Sequence, residues 1–213
     1  MRYRPTSSSS SSFLRPAVPP PTLHQPMSHI SRQQIADVFS SQEQGRKPLS
    51  VCFTGHHILS SQERTHLSGL LDCVLEALYC RGYRDFLCGG ALGFDTLAAQ
   101  RVLCLRQAHP DVRLRMALPC SNQSARWRPE DCRVYEQLLY AADETTVLSR
   151  DYYDGCMFAR NRYMVDHSSF CVCYLHHRRG GTLQTSMYAL HEGLPLLNLA
   201  MQSDCDAFLQ KKQ

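Results

Sequence analysis

From Leu49 onward, short apolar runs alternate with stretches whose apolar residues recur every three or four positions. Ser50–Thr54 predicts a strand that runs into Gly55-His56-His57. Ser60-Ser61-Gln62-Glu63 has the form of a capping box, and Leu67, Leu70, Leu71, Val74, Leu75 and Leu78 follow at helical spacing. Arg81-Gly82-Tyr83 supplies a glycine stop. The same alternation predicts strands over Asp85–Cys88, Arg113–Leu118, Glu144–Leu148, Phe170–Leu175 and Leu196–Leu199. Helices are predicted over about Phe94–Gln107, Glu130–Ala141, Cys156–His167 and Thr182–Glu192, the last ended by Gly193 and Pro195.

Six short strands alternating with helices imply βαβ units. The expected architecture is therefore a three-layer α/β fold, with a mostly parallel sheet of about six strands and helices on both faces. One domain spans residues 49–202, followed by a short C-terminal extension, 203–213. In such folds a ligand sits beyond the carboxyl ends of the strands. Thr54-Gly55-His56, Gly89-Gly90, Pro119-Cys120 and Gly180-Gly181-Thr182 all fall there.

Residues 1–48 break the pattern. They hold seven of the 11 prolines and the serine run Ser7–Ser12, a composition that predicts disorder. The basic, acid-poor start has the look of a transit peptide, but Pro19-Pro20-Pro21 opposes the amphipathic helix such a peptide needs. Met27 is an alternative start, and a short helix around Ser31–Phe39 fits the local pattern. The segment also carries the charge, with six of the 23 Lys and Arg against two of the 19 acids, leaving 17 of each in the body. A neutral body lacks the basic excess of a dedicated nucleic-acid binder, which disfavours nucleic acid as the partner. The 11 cysteines, all between Cys52 and Cys205 with no secretory leader ahead, read as reduced thiols of a cytoplasmic protein. No apolar run approaches the roughly 18–20 residues that span a bilayer, so no membrane partner is expected.

The chemistry lies at the strand ends. Gly89-Gly90-Ala91-Leu92-Gly93 joins a strand to a helix, where glycines permit positive φ and a helix N-terminus presents N–H groups to an anion. Tight strand–helix packing alone explains the same glycines. The run is neither G-x-G-x-x-G nor a P-loop, so hydride transfer and ordinary ATP hydrolysis are not indicated. Asp95 serves either the helix dipole or a ribose hydroxyl. Gly180-Gly181-Thr182 repeats the device, with Thr182 a natural N-cap.

Arg160 and Arg162 suit bidentate phosphate recognition, although helix arginines also serve as a solvated face. Met157, Asn161, Met164 and Val165 fall near one face of their helix, with Arg160 and Tyr163 pointing elsewhere. Asn122, Gln123, Arg126 and Trp127 follow the third strand, where the tryptophan can stack on a base or close the pocket's edge. His56 is a polar contact or a hydrogen-bonded structural imidazole. Cys171-x-Cys173 with His176 and His177 lacks the paired spacing of a zinc site, so no metal is expected.

Cys52–His56, Gly89–Asp95 with Thr96–Ala99, Ala117–Cys120 with Asn122, Gln123, Arg126 and Trp127, the string Cys156–Asp166, and Gly180–Thr182 together resemble the YpsA family. That family belongs to the SLOG group of Rossmann-like proteins, alongside the LOG phosphoribohydrolases and the DprA/Smf proteins. The resemblance covers about Ser50–Leu199. It implies a Rossmann-like sheet whose strand-end loops hold a nucleotide or nucleotide-derived signal, in a bacterial family linked to division and stress. The site it outlines comprises Thr54, Gly55, His56, Gly89, Gly90, Gly93, Asp95, Asn122, Arg126, Trp127, Arg160, Arg162, Gly180, Gly181 and Thr182.

Two departures matter. His57 stands where many YpsA-like sequences have Arg, and Thr185 stands where the LOG P-G-G-x-G-T-x-x-E motif has its catalytic glutamate. The expected function is thus binding or sensing of an ADP-ribose- or nucleoside-phosphate-like ligand rather than LOG catalysis. The alternatives are a hydrolase or transferase on a nucleotide's glycosidic or phosphate bond, and DprA-like single-stranded DNA binding. A homo-oligomer and a protein partner for the tail remain open.

Overall fold

The computed structural model describes residues 49–177 and 179–210. The segment 1–48 expected to be disordered, with its helix around Ser31–Phe39, lies outside the described residues, as do the last three positions of the C-terminal extension.

Six strands form one sheet: β1 (Ser50–Gly55), β2 (Asp85–Cys88), β3 (Arg113–Leu118), β4 (Glu144–Val147), β5 (Phe170–Tyr174) and β6 (Leu196–Asn198). Their order is β4-β3-β2-β1-β5-β6, and every neighbouring pair is parallel. The helices are α1 (Ser61–Cys80), α2 (Phe94–Ala108), α3 (Pro129–Ala141), α4 (Cys156–Asp166), α5 (Gly181–His191) and α6 (Gln202–Gln210). This is the Rossmann-like α/β fold.

Side chains alternate across a strand, so the sheet builds two unequal cores. Val51, Phe53, Phe86, Leu114, Met116 and Val172 face the layer that contains α1, α2 and α3. Cys52, Leu87, Ala117 and Cys171 face α4 and α5, where mostly small side chains let two helices lie close to the sheet.

Local signals set the element ends. Glu63 N–H donates to Ser60 Oγ at 3.2 Å and Ser60 N–H to Glu63 Oε2 at 2.8 Å, which closes the capping box of α1. Gly82 at φ 92° turns the chain after α1, as the glycine stop predicts. The extension differs from its plain description, because residues 202–210 form α6. Its Cys205 is buried, and Arg81 Nη2 donates to Phe208 O at 2.7 Å with its guanidinium 4.0 Å from the Phe208 ring centre.

The chain leaves β1 for α1 on one face and β5 for α5 on the other. Adjacent strands whose connections diverge in this way open a crevice between them. No helix among the described residues is long and apolar enough to cross a membrane.

Candidate functional site

A cavity of about 340 Å³ occupies that crevice. The end of β1 gives it Thr54, Gly55, His56 and His57; the β2–α2 loop gives Ala91 and Leu92, and α2 gives Asp95. Gln123 and Trp127 enter from the β3–α3 loop, and Met157, Arg160 and Asn161 from α4. Arg179, Gly180, Gly181 and Thr182 close it from the β5–α5 junction.

Its floor is a buried ion pair. Arg160 (4% exposed) and Asp95 (5% exposed) stand 4.0 Å apart. Arg160 Nη1 donates to the Gly89 carbonyl, and its Nε donates to Asn161 Oδ1 at 2.7 Å. The Asp95 carboxylate accepts backbone N–H groups of Ala91 and Gly89. Burial raises the Asp95 carboxyl, while the Arg160 charge pulls it back; burial also lowers the Arg160 guanidinium. The helix pattern grouped Met157 with Met164 and Val165 on one face and pointed Arg160 elsewhere, but it is Arg160 that is buried with Met164 and Val165. Arg160 is buried and Met157 is exposed, because Asp95 and the Gly89 carbonyl offer the guanidinium its partners inside.

The two glycine-rich helix entrances consequently differ. In the first, a Cβ on Gly89 would collide with the Arg160 guanidinium and the Asp95 carboxylate. Gly90 packs beneath Met116 and Tyr135, and Gly93 at φ 77° lies against the His56 and His57 carbonyls. These three glycines face protein, and none of them lines the cavity. The second entrance is open. Among the described residues, Gly180 at φ 91° has no atom within reach of an added Cβ, and Gly181 has only Asn161 Nδ2 at 4.0 Å. Gly180 takes the N-cap of α5 with no side-chain cap, so Thr182 sits inside the first turn rather than capping it. Asn161 Nδ2 donates to Thr185 Oγ1 at 2.8 Å, and that hydroxyl donates to Gly181 O at 2.8 Å. Thr185, at the place of the LOG glutamate, thereby ties the open entrance to α4.

Trp127 packs edge-on against Tyr135 with ring centres 5.1 Å apart. Gln123 Nε2 donates to Gly90 O at 2.8 Å. His56 Nε2 accepts the His176 backbone N–H at 3.2 Å, so that nitrogen is unprotonated. Burial, then the neighbouring His176 and His177, push the His56 imidazole below its ordinary range.

Of the expected site residues, Gly89, Gly90, Gly93, Asn122, Arg126 and Arg162 do not line the cavity. Arg162 lies on the outer face of α4, its guanidinium 4.7 Å from the Tyr188 ring centre. The structure adds His57, Gln123, Asn161 and Arg179. Arg179 carried a legible signal, an arginine directly before a Gly-Gly-Thr helix entrance; Asn161 was legible as part of the Cys156–Asp166 string, but its tie to Thr185 was not. Among the described residues no cluster of three His, Cys, Asp or Glu side chains suits a metal ion, and all 11 cysteines are free.

A parallel sheet with a crevice at its switch point, flanked by a helix N-terminus that no side chain caps, defines a Rossmann-like α/β protein. A family model described as the YspA SLOG family (YpsA) matches residues 59–193, and the chain belongs to that family. It is 30% identical over 106 residues to the UPF0398 protein BH1768 of Halalkalibacterium halodurans, covering 49% of this chain and 56% of that one. It is 29% identical over 132 residues to the uncharacterized SPbeta prophage-derived protein YoqJ of Bacillus subtilis (56% and 77%), and 28% identical over 96 residues to the Bacillus subtilis UPF0398 protein YpsA (44% and 53%). The matches thus span between about half and three quarters of those relatives' lengths. Among solved structures, DNA processing protein A of Streptococcus pneumoniae matches with a TM-score of 0.55 at 16% identity, covering 78% of this chain and 57% of that one. DNA processing protein A of Helicobacter pylori, studied for its single-stranded DNA binding mode, matches with a TM-score of 0.51 at 21% identity (70% and 64%). These two likenesses are likenesses of fold.

Proposed function

We propose that the crevice binds a nucleotide-derived ligand, of the ADP-ribose or nucleoside-phosphate kind, and that the protein acts as its sensor in stress or cell-division signalling. The observation that carries this reading is the open, uncapped N-terminus of α5 at the edge of a 340 Å³ cavity. Its N–H groups and the adjacent Arg179 suit a phosphate. Trp127 on the opposite wall suits a base.

Binding is favoured over bond cleavage by the carboxylates. Asp95 is engaged with Arg160 and two amides, Asp166 accepts the Tyr188 hydroxyl at 2.7 Å, and Glu192 lies at the far end of α5. Among the described residues, no second carboxylate lines the cavity beside Asp95. Single-stranded DNA binding is the second reading, supported by the likeness to the Helicobacter pylori protein studied for that property.

The test is a thermal-shift panel on the full chain with AMP, ATP, GTP, ADP-ribose, NAD and cyclic dinucleotides, beside single-stranded DNA at two salt concentrations. At a hundredfold excess over Kd, a bound ligand adds about 2.7 kcal/mol, or roughly 5–10 °C. We expect such a shift with at least one nucleotide, and a tenfold or greater loss of affinity in Arg179→Glu. Absence of any shift defeats the nucleotide reading. Salt-sensitive binding of DNA alone replaces it with the second.

A further inference from the structure

The β2–α2 loop has a cavity on its other side as well. About 500 Å³ in volume, it lies between α1, α2 and α3 and shares the wall residues His57 and Leu92 with the first. Gly93, pressed against the His56 and His57 carbonyls, fixes that shared ridge.

Arg64 from the first turn of α1 and Arg128 at the N-cap of α3 enter this second cavity. Arg84, Arg101, Arg106, Arg113 and Arg115 each pair with a carboxylate, whereas Arg64 and Arg128 form no ion pair among the described residues. Two unpaired guanidinium groups in a concave site favour a phosphate. Asp131 and the Gln100 amide line the same cavity, with Leu59 and Val134 as apolar wall. A carboxylate opposes a bare anion but accepts hydrogen bonds from a sugar hydroxyl or a base amino group. Phosphate-binding cations, hydrogen-bond acceptors and an apolar wall together match a nucleotide rather than an inorganic ion.

We propose that this cavity is a second nucleotide subsite, and that the ligand consists of two nucleotide units joined through phosphate, one on each side of the His57–Leu92 ridge. The proposal rests on the nucleotide reading of the first cavity. Each space lies in the size range of small-ligand pockets.

The experiment is calorimetric titration of the full chain with AMP, with the 5′-phosphorylated dinucleotide pApA, and with diadenosine diphosphate, which separates a phosphodiester from a pyrophosphate link. The proteins are wild type, Arg64→Ala/Arg128→Ala and Arg179→Glu. Both arginines of the double variant are exposed, so its melting temperature should match wild type. At least one two-unit ligand should bind wild type tenfold or more tightly than AMP. The double variant should lose that gain while its AMP affinity stays within twofold, and Arg179→Glu should weaken all three ligands. Equal affinity of wild type for AMP and both two-unit ligands overturns the second subsite alone, as does a gain that survives in the double variant. Binding of none of the three overturns the second subsite, and with a thermal-shift panel that is also blank it overturns the nucleotide reading as well.

Discussion

Arg160 and Asp95 place opposite charges 4.0 Å apart where water hardly reaches them. Removing one partner leaves the other charged and buried, which typically costs about 3–5 kcal/mol. Asp95→Ala should therefore lower stability by that amount in urea unfolding, and Asp95→Asn by less because its amide oxygen still accepts N–H groups. An unchanged midpoint for Asp95→Ala would show that the pair does not hold the floor. Gly93→Ala should also destabilise, since a Cβ at φ 77° meets both left-handed strain and the His56 and His57 carbonyls. That Trp127, Thr54 and the Gly180–Thr182 run gather at the cavity was legible from their place at or after strand ends. The inward turn of Arg160 was not, because its partners Gly89 and Asp95 come from another element and helical periodicity carries no record of them.

The capping box gives α1 its start, and Ser60→Ala should cost about 1 kcal/mol, a fall of roughly 2–4 °C in melting temperature. Glu63 is held at about 2, below an ordinary 4.5, first by the Ser60 hydroxyl and backbone N–H and then by the Tyr174 hydroxyl. A depressed carboxyl stabilises the fold fully above its unfolded value and loses that contribution as pH falls through the folded one. The effect should therefore fade between pH 4.5 and about 2, and Glu63→Gln should flatten acid unfolding in that window. Equal pH slopes for the two proteins would contradict the assignment. His56 works in the same direction at higher pH: a lowered imidazole favours the neutral form, so its contribution weakens as pH drops below about 6.5. Strands and helices were largely legible at this scale, because buried parallel strands and amphipathic helices leave different periods in the sequence. The cap of α5 was misplaced by two residues, since glycine at φ 91° supplanted threonine.

At the scale of the whole molecule, the reversal of strand order at β1 and β5 is what gathers residues from positions 54 to 182 into one crevice. Alternation of elements implied a parallel sheet, but not which strands would be neighbours. Nor did it imply α6, whose nine residues are too few for a clear period and which docks through Cys205 and Phe208. Phe208→Ala should cost about 1–2 kcal/mol from partial loss of apolar burial and of the Arg81 contact, read from the unfolding midpoint. The central claim is that a nucleotide occupies the crevice with its phosphate on the N-terminus of α5. The direct measurement is amide hydrogen exchange of the full chain with and without saturating ADP-ribose or the strongest ligand of the panel. Slowed exchange at residues 180–183 and 56–57, with the amides at the far end of the sheet unchanged, is the predicted result. Binding without protection of the α5 entrance, or protection confined to another surface, would contradict it.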